Sequence, residues 1–258
     1  MVFRTRGLKR DVDLIIFDLD GTIAETRQDI AINFAAGFKN IGIDVPMNRL
    51  LDLVDGSPLE KTYKVIRPNG TKAEMDKFLD GFKSNQKRRG PGGEPYKHIP
   101  ELLKALRKQP GVKLAVATAR PADNAVRMLK KMGLRDKFDF VTGTDGSGMP
   151  HKPAPDMLLY VAKRAGVAPG RTVFVGDTKT DMMAGKSAGM STVALTYGMG
   201  KPGELAAQRP DATTGSAAEL FRMFGINRRS GRSDATARQP APNLRPMRNV
   251  LPVESTAF

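Results

Sequence analysis

The 258 residues contain no cysteine, which excludes disulfides, zinc–thiolate centres and cysteine nucleophiles. With only two histidines, His98 and His151, any metal is expected to be a hard cation held by oxygen, Mg²⁺ first. The net charge of +15 favours anionic partners without separating small metabolites from nucleic acid, and an apolar fraction of 40% is compatible with a packed core.

The basic start, residues 1–10, is not followed by an apolar segment long enough for export, and no apolar run is long enough to span a bilayer. A cytoplasmic protein without membrane contact is the expectation. Residues 12–17 (VDLIIF) form a short apolar run ending in acidic residues and Gly21, as a buried parallel strand does. The pattern returns at 113–117, 138–142, 172–175 and 192–195. Helical periodicity lies between these runs, at 99–108, 122–132, 155–165 and 181–188. Gly133, Gly166 and Gly189 follow three of these helices, where a left-handed cap residue is wanted. The alternation predicts an α/β fold, a Rossmann-like parallel sheet with helices on both faces.

Residues 26–96 break the alternation. They read as consecutive helices, 29–39, 59–66 and 73–82, followed by a glycine- and proline-rich hinge at 87–95. This predicts a small helical domain, 26–96, inserted after the first strand into a core formed by 1–25 and 97–226. Residues 227–258 have four prolines, six arginines and no sustained periodicity, and are expected to be a disordered basic tail. Its single aromatic residue, Phe258, makes nucleic-acid stacking a poor reading, and a protein partner is the alternative to simple solvation.

Four segments at strand ends carry groups that phosphate chemistry uses. In Asp18-Leu19-Asp20-Gly21-Thr22, two carboxylates two residues apart can face one way, one as nucleophile and one as proton donor. The same spacing also suits a turn. Thr118, Ala119 and Arg120 precede a helix and offer a hydroxyl and amides to a phosphate, or Thr118 simply caps the helix. Lys152, in His151-Lys152-Pro153, can neutralise phosphate and keep a nucleophile ionised, or face solvent. His151 can line an entrance or face solvent. Asp177 is placed to ligate Mg²⁺, with Asp181 one helical turn on as its support, although Asp177 also suits a helix cap.

In this order and at these strand ends, the four segments resemble the motifs of the haloacid dehalogenase superfamily, over residues 12–226. The resemblance implies that Asp18 is the nucleophile and that Asp20 is the acid and base, lending a backbone carbonyl to Mg²⁺. It places the metal among Asp18, Asp20 and Asp177, with Asp181 supporting. Thr118 and Lys152 correspond to the phosphate-binding residues, beside Gly21, Ala119 and Arg120. The helical insert resembles the family's mobile cap. Residues 152–156 (KPAPD), 175–181 (VGDTKTD) and 188–198 resemble phosphoglycolate phosphatases. The implied activity is hydrolysis of a small acidic phosphate ester, 2-phosphoglycolate first. A nucleotidase, a pyrophosphatase or a phosphomutase on the same scaffold is the alternative, and a partner-binding module using the tail is an alternative of another class. Arg120 stands where asparagine is commoner, and either adds a cationic contact to substrate or faces solvent. Gly56 and Ser57 resemble a loop offered to the substrate's non-phosphate end, or are a turn between helices.

Overall fold

The structure, a computed structural model, describes residues 11–144 and 148–226. The tail expected at 227–258 lies outside the described residues. In chain order the elements are β1 (Leu14–Phe17), β2 (Ala24–Glu25), α1 (Arg27–Lys39), α2 (Met47–Asp52), α3 (Leu59–Ile66), α4 (Lys72–Arg89) and β3 (Glu94–Pro95). There follow α5 (Ile99–Leu106), β4 (Lys113–Ala117), α6 (Ala122–Lys131), β5 (Phe140–Thr142), α7 (Asp156–Ala165) and β6 (Thr172–Gly176). The remainder is α8 (Lys179–Ser187), β7 (Ser191–Leu195), α9 (Pro202–Ala207), β8 (Ala212–Thr214) and α10 (Ala217–Met223).

Among the described residues six strands form one parallel sheet in the order β5-β4-β1-β6-β7-β8. The side chains of β1 alternate between two cores, as a strand's period of two requires. Ile15 and Phe17 pack with Leu102, Leu103, Met128 and Leu220 of α5, α6 and α10 on one face. Leu14 and Ile16 pack with Leu158, Val161 and Ala184 of α7 and α8 on the other. Burial on both faces explains why these strands read as continuous apolar runs. The five strands expected from sequence all form. β8 (ATT) went unread because it is short and only its last residue is buried.

β1 lies at the sheet's switch point. The chain continues from β1 to β4 and β5 on one side, then returns to β6 on the other. Ligands of open parallel sheets bind outside the carboxyl ends of the strands at such a point. Register fixes what meets there. Phe17 pairs with both Val116 and Val175, so Asp18 emerges between Ala117-Thr118 and Gly176-Asp177.

The helices α1 to α4 lie between β2 and β3, a short antiparallel pair that sequence reading missed. They have their own core of Phe34, Phe38, Leu50, Tyr63, Phe78 and Phe82. α4 runs on to Arg89, so Lys87, Arg88 and Arg89 form its last turn rather than a hinge. Cations are favoured there by the unpaired carbonyls of a helix C-terminus. Gly133, Gly166 and Gly189 take positive φ after their helices, as expected. No helix among the described residues is long and apolar enough to cross a membrane.

Candidate active site

Asp18 is buried, and its Oδ1 accepts a hydrogen bond from Lys152 Nζ at 2.6 Å. Lys152 reaches it from the loop before α7 and donates at the same distance to Asp181 Oδ1. The other oxygen of Asp181 accepts from the backbone and hydroxyl of Thr178, closing a capping box at the start of α8. The helix cap is therefore Thr178, which leaves Asp177 free of that duty. Asp177 is fully buried, with Thr22 Oγ1 donating to Oδ1 at 2.6 Å and the Met199 amide donating to Oδ2 at 2.7 Å. Gly21 permits this approach, since a Cβ there would lie 2.1 Å from Asp177 Oδ2 and its φ is +80°. The Gly21 amide donates to the Ala24 carbonyl and is spent within the loop rather than offered to a ligand.

Carboxylate oxygens of Asp18, Asp177 and Asp181 all lie within 4.8 Å of one another. Three buried carboxylates share one ammonium, so negative charge is in excess. Burial pushes the Asp18 carboxyl up to about 7; Lys152 pulls against this, but Asp181 and Asp20 add to the rise. Burial, with the charges of Asp181 and Asp18, raises Asp177 well above the usual carboxyl range. Burial alone would lower Lys152, yet Asp18 and Asp181 hold it above its ordinary value. Lys152 by itself therefore leaves Asp18 above the usual carboxyl range, and a cation beside it would add to its pull. An all-oxygen set with surplus charge fits a hard divalent ion.

Asp20 is turned away from this cluster. Its Oδ2 accepts from Arg120 Nε at 2.6 Å, and its Oδ1 from Arg120 at 2.7 Å and from Thr26 Oγ1 at 2.6 Å. Burial opposes its ionisation, but the Arg120 charge and the hydrogen bonds from Arg120 and Thr26 hold it below the usual carboxyl range. Its side-chain oxygens are thus taken up by Arg120 and Thr26 and are not part of the Asp18, Asp177 and Asp181 group. Arg120 is 6% exposed and also donates to Asn124 Oδ1, so it neither faces solvent nor stands free for substrate. Both sequence readings of Arg120 are replaced by a bidentate grip on Asp20.

Thr118 is buried and is not the cap of α6, whose N-cap position is Pro121. Its Oγ1 accepts from the Arg120 amide, while Ala119 is exposed beside it. His151 is exposed at the rim of a cavity of about 490 Å³ that opens over Asp18, Thr118 and Lys152. Gly56 and Ser57 line the cavity too. A Cβ on Gly56 would lie 2.5 Å from Thr178 Cγ2, so this loop sits directly against the core. Arg27 adds a second tie, donating to the carbonyls of Leu51 and Gly198. Sequence reading missed Thr22, Thr26 and Arg27, and also the wall of the cavity formed by Ile30, Leu79, Phe82, Lys83 and Gln86. The helix expected at 73–82 stops short of Lys83 and Gln86, which the longer α4 brings onto one face with Leu79 and Phe82.

Comparison with known proteins agrees with this arrangement. The family model described as "Haloacid dehalogenase-like hydrolase" matches residues 15–195. The chain is similar to the "Probable phosphatase IndB" of Dickeya dadantii, at 31% identity over 80% of this chain and 91% of that one. A protein named phosphoglycolate phosphatase in Neisseria meningitidis is 31% identical, over 81% and 92% of the two chains. Among solved structures, a predicted phosphoglycolate phosphatase of Haemophilus somnus superposes with a TM-score of 0.71 at 27% identity, covering 82% of this chain and 97% of that one. The chain belongs to the haloacid dehalogenase-like hydrolase family.

Two predictions follow the electrostatics. A carboxyl with a pKa near 7 carries its proton below that pH, and the proton must leave before the oxygen can ligate a cation. Mg²⁺ affinity, measured by calorimetry, is expected to fall by up to about tenfold per pH unit below 7; an affinity flat from pH 8 to 5.5 contradicts this. Arg120→Ala strands a largely buried carboxylate and is expected to cost about 3–5 kcal/mol in denaturant unfolding, with much of the loss recovered on adding Asp20→Asn. Additive effects of the two substitutions would show that the pair is not coupled.

Proposed function

We propose that this chain is a Mg²⁺-dependent phosphomonoester hydrolase that works through an aspartyl-phosphate on Asp18. The observation that carries the reading is the buried trio of Asp18, Asp177 and Asp181 at the switch point of the sheet, with Lys152 bridging Asp18 and Asp181. The family match and the phosphatase names of its relatives make it a phosphatase. Mg²⁺ would be held by Asp18, Asp177 and the Asp20 carbonyl, and would neutralise phosphate charge and lower the pKa of Asp18.

Lys152 holds Asp18 Oδ1, which leaves Oδ2 to attack phosphorus as the bond to the leaving oxygen breaks. Thr118 and the Ala119 amide, just after β4, bind the phosphoryl oxygens, and Lys152 balances their charge. Asp20 gives a proton to the departing alkoxide. It then takes one from the water that splits the aspartyl-phosphate, releasing inorganic phosphate and restoring Asp18. Three hydrogen bonds support Oδ2 as the atom that handles the proton: Oδ1 accepts two, whereas Oδ2 accepts one and keeps a lone pair. The grip of Arg120 favours ionised Asp20, which suits the second step and opposes the first.

The helices α1–α4 act as a cap that excludes water from this chemistry. The substrate is a small acidic metabolite in a cytoplasmic setting, and 2-phosphoglycolate heads the panel because relatives bear that name. Asp18→Asn, assayed with Mg²⁺ and a panel of phosphorylated metabolites, is expected to fold normally and lose at least about a thousandfold in kcat. Near-normal turnover by that variant would end the covalent reading, and phosphate moved between substrates without release would favour a phosphomutase.

A further inference from the structure

The cavity over Asp18 has two unlike sets of lining residues. The core supplies Asp18, Thr118 and Lys152. α4 supplies Leu79, Phe82, Lys83 and Gln86, spaced at i, i+3, i+4 and i+7 on one face. Leu79 is half-buried, Phe82 is buried and Lys83 is exposed. Ile30 of α1 and Leu59 of α3 extend the apolar wall. The volume of about 490 Å³ belongs to a cap seated on the core, because Gly56 meets Thr178 and Arg27 bonds to the Gly198 carbonyl. That volume falls within the range of about 300–1,000 Å³ that holds ligands of drug size. An ester with a single methylene between phosphate oxygen and carboxylate would leave the aliphatic wall unfilled.

Charge adds a second constraint. Of the cations lining the cavity, Lys152 is paired with Asp18 and Asp181, and Arg120 with Asp20. Lys83 has no ion pair among the described residues, including with Glu60, the acidic side chain of the cap part of the wall. An ammonium without an ion pair, on the α4 face that also carries Leu79 and Phe82, fits a ligand with a second negative charge and an apolar body between that charge and its phosphate.

We propose that the preferred substrate is a phosphate monoester with an elongated apolar body and a terminal carboxylate or similar anion, its body against Leu79 and Phe82 and its far end at Lys83. The inference rests on the phosphatase reading above and narrows its substrate class. Hexyl phosphate, 6-phosphooxyhexanoate and 2-phosphoglycolate are alkyl esters that separate chain length from the distal charge.

With Mg²⁺ and the full chain, kcat/KM for 6-phosphooxyhexanoate is expected to exceed that for 2-phosphoglycolate by at least about tenfold, as added methylenes fill an apolar pocket. Lys83→Ala is expected to reduce the preference for 6-phosphooxyhexanoate over hexyl phosphate by about threefold, the scale of a solvated ion pair. Highest kcat/KM for 2-phosphoglycolate, or a preference unmoved by Lys83→Ala, overturns the substrate class while leaving the phosphatase intact. Absence of phosphate release from all three esters and from p-nitrophenyl phosphate overturns the phosphatase reading and this inference with it.

Discussion

Lys152 Nζ bridges Asp18 and Asp181 at 2.6 Å each, inside a site that water scarcely reaches. Breaking one side of a buried pair strands a charge, so both aspartates depend on that ammonium. Asp177 lies in the same group without a cationic partner of its own and is met instead by a hydroxyl and an amide. One positive charge among three carboxylates of the described residues leaves negative charge in excess, a balance that suits a hard divalent cation. The surrounding fold serves to hold this imbalance. Register sets Asp18 beside the ends of β4 and β6, the capping box fixes Asp181 at the start of α8, and Gly21 lets Asp177 come close.

A second, separate ion pair divides the labour between the two aspartates of the first motif. Asp20, only two residues from Asp18, is bound to Arg120 and Thr26 and stays below the usual carboxyl range, while Asp18 rises to about 7. Opposite shifts in neighbouring carboxyls are a means of assigning different tasks to one residue type. Thr26 immediately precedes α1, so the anchor of Asp20 also lies at the entrance to the cap. The position of the Asp20 carboxylate and the start of the helical segment α1–α4 thus share a residue.

Much of this was legible in sequence because local patterns dictate it. Fully buried parallel strands read as unbroken apolar runs, and the polar residues that end them mark the ligand edge. The two-residue pair β2–β3 and the three-residue β8 are too short to show a period. The end of α4 looked like part of a hinge because residues 87–95 are rich in glycine and proline, although its three cations are favoured in a last turn. Arg120 could not be read locally: its partner lies one hundred residues away, and only the fold brings the two together. The cap wall failed for a related reason. Its helical face was readable only as far as residue 82, and the direction in which it points depends on how α4 packs against α1 and α3.

The most direct test is chemical capture of the covalent state. Acid quenching during turnover with Mg²⁺, followed by peptide mapping in the mass spectrometer, should place a labile phosphoryl group on the peptide containing Asp18. Phosphate found on another residue, or turnover proceeding with no phosphorylated peptide at any quench time, would contradict attack by Asp18.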